Sequence, residues 1–210
     1  MKLYELAPSP SARRVNIFLA EMGIDVDRVS VDIRGGENLT DEFKAISVNG
    51  RIPVLKFDNG QTLCESVAIC RYFDELHKPA NSLFGNSPIE KANVEMWQRI
   101  CELQGLFVGF QAFRNITKIY GDRENCIEAW GEESKKRLID FLPTLDTQLS
   151  QHEYIAGNTF SIADITAYVM VSFIQHLDVT PNSKQVYLKR WQQQIEQRES
   201  VQTVNAGTNT

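Results

Sequence analysis

Apolar positions over the first 78 residues change period several times. Residues 2–6 (KLYEL) alternate as a half-buried strand does. From 11 to 22, Val15, Phe18, Leu19 and Met22 recur at helical spacing, and Gly23 supplies a stop. In DVDRVSVDI, Val26, Val29, Val31 and Ile33 alternate again and predict a second strand. RGGENLTDEFKAI holds a glycine-rich turn and a short helix. RIPVLKF reads as a strand entered through proline, DNG at 58–60 as a type I′ hairpin turn, and QTLCE as the returning strand. From Ser66, SVAICRYFDELH places Val67, Cys70 and Phe73 on one side of a helix. The predicted order over 1–78 is βαβαββα.

The pattern then changes. KPANSLFGNSP, broken by Pro79, Gly85 and Pro88, predicts a linker over 79–87. Strand signals disappear after it. Ser87, Pro88 and Glu90 spell a helix start, with serine at the N-cap, proline at the first position and glutamate at the third. A long helix is expected to run to about Tyr120, and another from about Arg123 to Leu149 across Pro143. FSIADITAYVMVSFIQHL is apolar enough to predict a helix buried on all sides. A last amphipathic helix carries Val186, Leu188, Trp191 and Ile195, and the polar tail from about residue 200 is expected to fray. The chain is thus read as a small α/β domain, 1–78, followed by an all-helical domain, 88–210.

Composition fits this division. The 210 residues are 42% hydrophobic and 23% charged, with a formal net charge of -5. That balance argues against nucleic acid or an anionic membrane as the main partner, because both require a basic footprint. No apolar run is long enough to span a bilayer, and the N-terminus does not read as a secretory signal. Cys64, Cys70, Cys101 and Cys126 form no C-x-x-C pair, so a reduced, cytoplasmic protein is expected.

Three stretches of the first domain could carry chemistry. APSPSARRV leaves a strand through a proline-stiffened turn into a helix. Ser9 or Ser11 there sits beside unpaired N–H groups and the positive end of a helix dipole, a place that favours an anion. Taken alone, a plain helix cap is the simpler reading. In NGRIPVLKF, a proline before the apolar run makes sense if Ile52 turns its N–H and C=O outward to pair with a peptide-like ligand. In CESVAI, Glu65 and Ser66 lie where a turn becomes a helix. The Ser66 hydroxyl and helix start suit a carboxylate and Glu65 an ammonium, as in an α-amino acid end.

In order and spacing these stretches resemble the cytosolic glutathione transferase family. NGRIPVLKFDNGQTLCESVAICRYFDE is similar to that family's N-P-x-G-x-V-P-x-L followed by E-S-x-A-I-x-x-Y, with Val48 in place of proline and Ile52 in place of valine. YIAGNTFSIADITAY resembles its buried capping box, with Ser161 as N-cap and Asp164 at the third position. The resemblance covers nearly the whole chain. It implies a thioredoxin-like first domain, a helical second domain, a homodimer, and glutathione as cosubstrate for transfer to a hydrophobic electrophile. It further implies that Ile52, with Pro53 cis, clamps the cysteinyl part. Glu65 and Ser66 would then hold the γ-glutamyl end, and Asn38 and Arg51 lie within reach of the glycyl carboxylate. Ser9 falls where serine-type members carry the hydroxyl that activates the thiol. SPSARRVNIFLAE most resembles a microbial branch related to the fungal Gtt-like transferases, in which a bound water takes that role, so Ser9, Ser11 and a water all remain candidates. The alternative activities are a glutathione-transferase-like binding or regulatory module and a glutathione-dependent peroxidase or disulfide reductase.

Phe107, Phe110 and Phe113 recur at helical spacing. They are candidates for an electrophile pocket with Trp97 behind, against the plainer reading of an aromatic core stripe. His77, His152 and His176 match no metal-ligand spacing, so no metal is expected. Each cysteine is expected to act as a small buried hydrophobe.

Overall fold

The computed structural model describes residues 1–207. They form two compact units, one built from Met1–Ser82 with the C-terminal segment from Gln197, the other from Leu83–Glu196.

The first unit is a four-stranded mixed sheet with helices. Strand β1 (Lys2–Glu5) lies parallel to β2 (Asp27–Ser30) and antiparallel to β3 (Val54–Lys56), which pairs antiparallel with β4 (Thr62–Leu63). Tyr4 faces Val54 across the β1–β3 pair. Helix α1 (Pro10–Glu21) starts with proline at its first turn and ends at Gly23, whose φ of +64° lets Ile24 N–H return to the Leu19 carbonyl at 2.9 Å. A 3₁₀ turn (Glu37–Leu39) and the short α2 (Asp41–Lys44) follow β2, and α3 (Ser66–His77) follows β4. Helices α1 and α3 pack on each other, burying Val15, Phe18, Leu19, Ile69, Cys70 and Phe73. A separate cluster of Val31, Phe43 and Val54 is flanked by Ile52 and Cys64, so the segments around Pro53 and Glu65 share an apolar base.

The second unit is helical: α4 (Pro88–Ile100), a π-helical segment (Cys101–Leu106), α5 (Phe107–Thr117), α6 (Glu128–Gln151), α7 (Ile162–Phe173) and α8 (Val186–Glu196). The capping boxes expected at Ser87–Glu90 and Ser161–Asp164 both form. As its composition predicts, α7 is buried on all sides. The mixed sheet unit and helical unit agree with the expected fold class.

Four expectations are corrected. The long helix is interrupted by the π segment, where Gly105 sits so close to α7 and α6 that a Cβ would lie 3.1 Å from Met170 Cγ and 3.2 Å from Phe141 Cε1. The next helix starts at Glu128 rather than near Arg123. The hairpin turn is not type I′. Gly60 N–H bonds to the Phe57 carbonyl and Phe57 N–H to the Gln61 carbonyl, and it is Gly60, at φ +86°, that takes the left-handed conformation after an ordinary turn. The tail expected to fray is instead helix α9 (Glu199–Gly207), packed on α1 within the first unit. Polar contacts hold it. Glu21 accepts from Arg198 and, at 2.6 Å, from Ser200, while Arg13 donates to Asn205 at 2.8 Å. Hydrophobic periodicity does not register such a polar seam. The last part of the tail, 208–210, lies outside the described residues.

Candidate active site

Ser9 is the N-cap of α1 by position, with extended backbone (φ −68°, ψ 143°), yet its side chain caps nothing. Its hydroxyl is buried and has no hydrogen-bond partner among the described residues. The plain capping reading therefore does not account for Ser9. Ser11, two residues further on, is half-buried.

Ser66, the first residue of α3, is buried, and its Oγ accepts a bond of 2.8 Å from Arg14 Nη1. An arginine only donates, so this contact fixes the serine oxygen as acceptor and leaves its proton to point elsewhere. The cation also sits beneath a helix start, where it adds to a field favouring a carboxylate. Arg14 is itself only 2% exposed. Sequence reading did not anticipate this contact. The available signal was its place four residues before Phe18, on the buried face of α1.

Glu65 precedes Ser66 at φ 68°, ψ 114°, a region costly for a residue with a side chain, on the order of 1–3 kcal/mol. Such strain persists where the surroundings hold it. Here the Glu65 carbonyl accepts from Ile69 N–H at 3.0 Å, and its side-chain Oε1 accepts from Asn49 Nδ2 at 3.1 Å.

The Ile52–Pro53 peptide bond is cis. Ile52 is half-buried against the Val31–Phe43–Val54 cluster, and its backbone N–H and C=O make no hydrogen bond among the described residues. Just before it, Ser47, 1% exposed, brackets Arg51: its Oγ accepts from Arg51 N–H at 2.9 Å and donates to the Arg51 carbonyl at 2.8 Å. The Arg51 side chain is left exposed. Asn38 donates to the Gly50 carbonyl at 2.8 Å, while its Oδ1 is buried without a partner among the described residues.

Asn38, Arg51, Ile52, Glu65 and Ser66 are thus linked by one set of contacts. Sequence reading missed its connectors, Ser47, Asn49 and Arg14. The three phenylalanines belong to the helical unit. Phe110 and Phe113 each meet the Phe173 ring edge-on at 5.2 Å, and Phe113 also meets His176, so these two are packed aromatic residues. Phe107 is 52% exposed.

All four cysteines are free thiols. Burial pushes the Cys70 thiol well above its ordinary range, only partly opposed by the nearby Arg14 charge, so it acts as a small hydrophobe, as expected. Cys101 is likewise buried, whereas Cys64 and Cys126 are half-buried, which departs from the expectation. Among the described residues no group of histidine, cysteine, aspartate and glutamate has the arrangement of a metal site.

Comparison with known proteins bears on the family. The family of glutathione S-transferase N-terminal domains matches residues 8–76, and that of glutathione S-transferase C-terminal domains matches residues 111–199. Glutathione S-transferase 2 of Saccharomyces cerevisiae is 30% identical over 205 residues, covering 96% of this chain and 88% of its own. The crystal structure of a class Gtt2 glutathione S-transferase of Vibrio parahaemolyticus is 51% identical, with a TM-score of 0.87 and 97% coverage of both chains. That of Gtt2 from Saccharomyces cerevisiae is 28% identical, with a TM-score of 0.89, covering 97% of this chain and 100% of its own. The chain belongs to the glutathione S-transferase family and is similar to its Gtt2-like members.

Proposed function

We propose that this glutathione transferase couples the glutathione thiolate to small hydrophobic electrophiles, with the cradle built on Ile52, Glu65 and Ser66 holding the tripeptide. The observation that carries this reading is the Arg14–Ser66 contact. It leaves a serine proton and a helix start available to a carboxylate, beside a glutamate suited to an ammonium. The Ile52 backbone groups are equally available to the cysteinyl part. Asn38 Oδ1 and the exposed Arg51 offer a donor–acceptor set for the glycyl end, with Arg51 the cation for its carboxylate.

A free thiol has a pKa near 8.5 and is mostly protonated at neutral pH. Lowering it by about two units requires about 2.7 kcal/mol of preferential stabilisation of the thiolate. A charge-assisted hydrogen bond, about 1.5–3 kcal/mol, together with a helix dipole, about 0.3–1 kcal/mol, is of that size. The partnerless Ser9 hydroxyl supports Ser9 as that donor. Ser11 and an ordered water are the competing donors.

We place the chain in the cytoplasm, a reading its four free thiols support. No helix among the described residues is long and apolar enough to cross a membrane. We also propose a homodimer. Ile89, Met96 and Leu103, at heptad spacing along α4 and the π segment, are 76%, 48% and 49% exposed, an apolar row that a second copy would cover.

Retention on immobilised glutathione, followed by turnover assays with an aromatic halide, an activated alkene and an organic hydroperoxide, tests the proposal. Retention with conjugation of a carbon electrophile is expected. Retention with no turnover of any of the three would make the protein a binding module, and turnover of the hydroperoxide alone would make it a peroxidase.

A further inference from the structure

We propose that Asn49 is a positioning residue that aims the Glu65 carboxylate at the ligand's ammonium group, and so sets a preference for a γ-glutamyl end with a free α-amine. This rests on the reading of Glu65 as the partner of that amine.

Glu65 is exposed, and an exposed glutamate samples many rotamers unless something holds it. Asn49 does so by donating from Nδ2 to Oε1, which leaves Oε2 open. The asparagine is itself held. Its Oδ1 accepts from Arg51 N–H at 3.2 Å, so a flipped amide would set oxygen against carboxylate and NH₂ against N–H. The backbone beneath it is a tight turn in which Gly50 N–H bonds to the Ser47 carbonyl at 3.1 Å and Gly50 takes φ +61°. Asn38 fastens the turn from one side, through the Gly50 carbonyl, and Ser47 from the other, through both polar groups of Arg51.

The chemistry of the amide matters as much as its position. A neutral donor orients Glu65 without cancelling its charge. A lysine there would compete with the ligand's ammonium, and an aspartate would repel the carboxylate it must hold. The turn that leads into Ile52 also carries the tether to Glu65, so the cysteinyl and γ-glutamyl subsites are aligned by the same few atoms. Pre-ordering the carboxylate lowers the cost of binding only for a ligand that uses it.

The test compares two ligands on each protein: glutathione, and glutaryl-cysteinyl-glycine, which keeps the carboxylate and lacks the α-amine. Wild type should bind glutathione more tightly. Asn49→Ala should shrink that preference roughly tenfold, the worth of one hydrogen bond to a charged group, through weaker glutathione binding at unchanged analogue affinity. Glu65→Gln and the double variant should show the same residual preference. Because the readout is a ratio within one protein, a partly unfolded fraction cancels from it. An unchanged ratio in Asn49→Ala, or an equal loss for both ligands, overturns the proposal. A wild type that binds both ligands equally, or neither, identifies the Glu65 reading as the failure, and this inference falls with it.

Discussion

Ser9 and Ser66 both stand at helix starts, and their hydroxyls are in opposite situations. The Ser66 hydroxyl is tied to a buried arginine; the Ser9 hydroxyl is buried with no partner among the described residues. A buried hydroxyl left unpaired costs on the order of 1–3 kcal/mol, a cost that a ligand thiolate would remove. Ser9→Ala should therefore raise the pKa of bound glutathione's thiol, read from thiolate ultraviolet absorbance against pH, while its dissociation constant moves less than about threefold. An unchanged pKa transfers the role to Ser11 or a water. Ser66→Ala should instead weaken binding by about tenfold or more and leave the thiol pKa in place. The two serines and Glu65 were legible in the sequence because helix-start chemistry is local. Arg14, Ser47 and Asn49 were not, because each acts across a fold-dependent contact, such as Asn49 reaching Glu65 from another loop.

Among the elements, α7 has the most demanding start. Asp164 is fully buried and accepts from Ile155 N–H at 2.9 Å, Trp191 Nε1 at 2.9 Å, Ser161 N–H at 3.0 Å and Ser161 Oγ at 3.1 Å. Burial outweighs those donors and pushes its pKa from the usual 3.8 up to about 6. The folded state therefore holds the proton more tightly than the unfolded chain between those values. The group's contribution to stability is greatest below about pH 4, falls as pH rises towards 6, and is flat above. Measured as urea stability against Asp164→Asn, wild type should lose up to about 3 kcal/mol of relative advantage between pH 4 and 7. A relative gain over that range would contradict the assignment. Asp164→Ala, which strands four donors, should cost about 3–5 kcal/mol at neutral pH. The box itself was legible as serine followed by aspartate three positions on. Its closure by Trp191, from a helix distant in sequence, was not. Helix α9 was missed for a related reason, since it is held by polar contacts to α1 and by one buried apolar residue, Val201, which makes no apolar period.

At the scale of the whole molecule, the change from mixed strand and helix periods to helical periods alone was readable from apolar spacing, and the fold agrees with it. The π segment was not readable, because apolar spacing does not distinguish one π turn from the α-helix around it, and the close packing of Gly105 on Met170 and Phe141 within it is a tertiary contact. The proposed dimer belongs to this scale. Sedimentation should give twice the chain mass, and charge placed in the apolar row by Met96→Glu with Leu103→Glu should give monomers that remain folded. A wild type that sediments as a monomer at micromolar concentration would contradict it. The most direct test of the central claim is calorimetric titration of glutathione into the purified protein, shown folded by circular dichroism. One saturable site per chain is expected, weakened about tenfold or more by Ser66→Ala. No heat of association at any temperature tried, on folded protein, would contradict the cradle read from Ile52, Glu65 and Ser66.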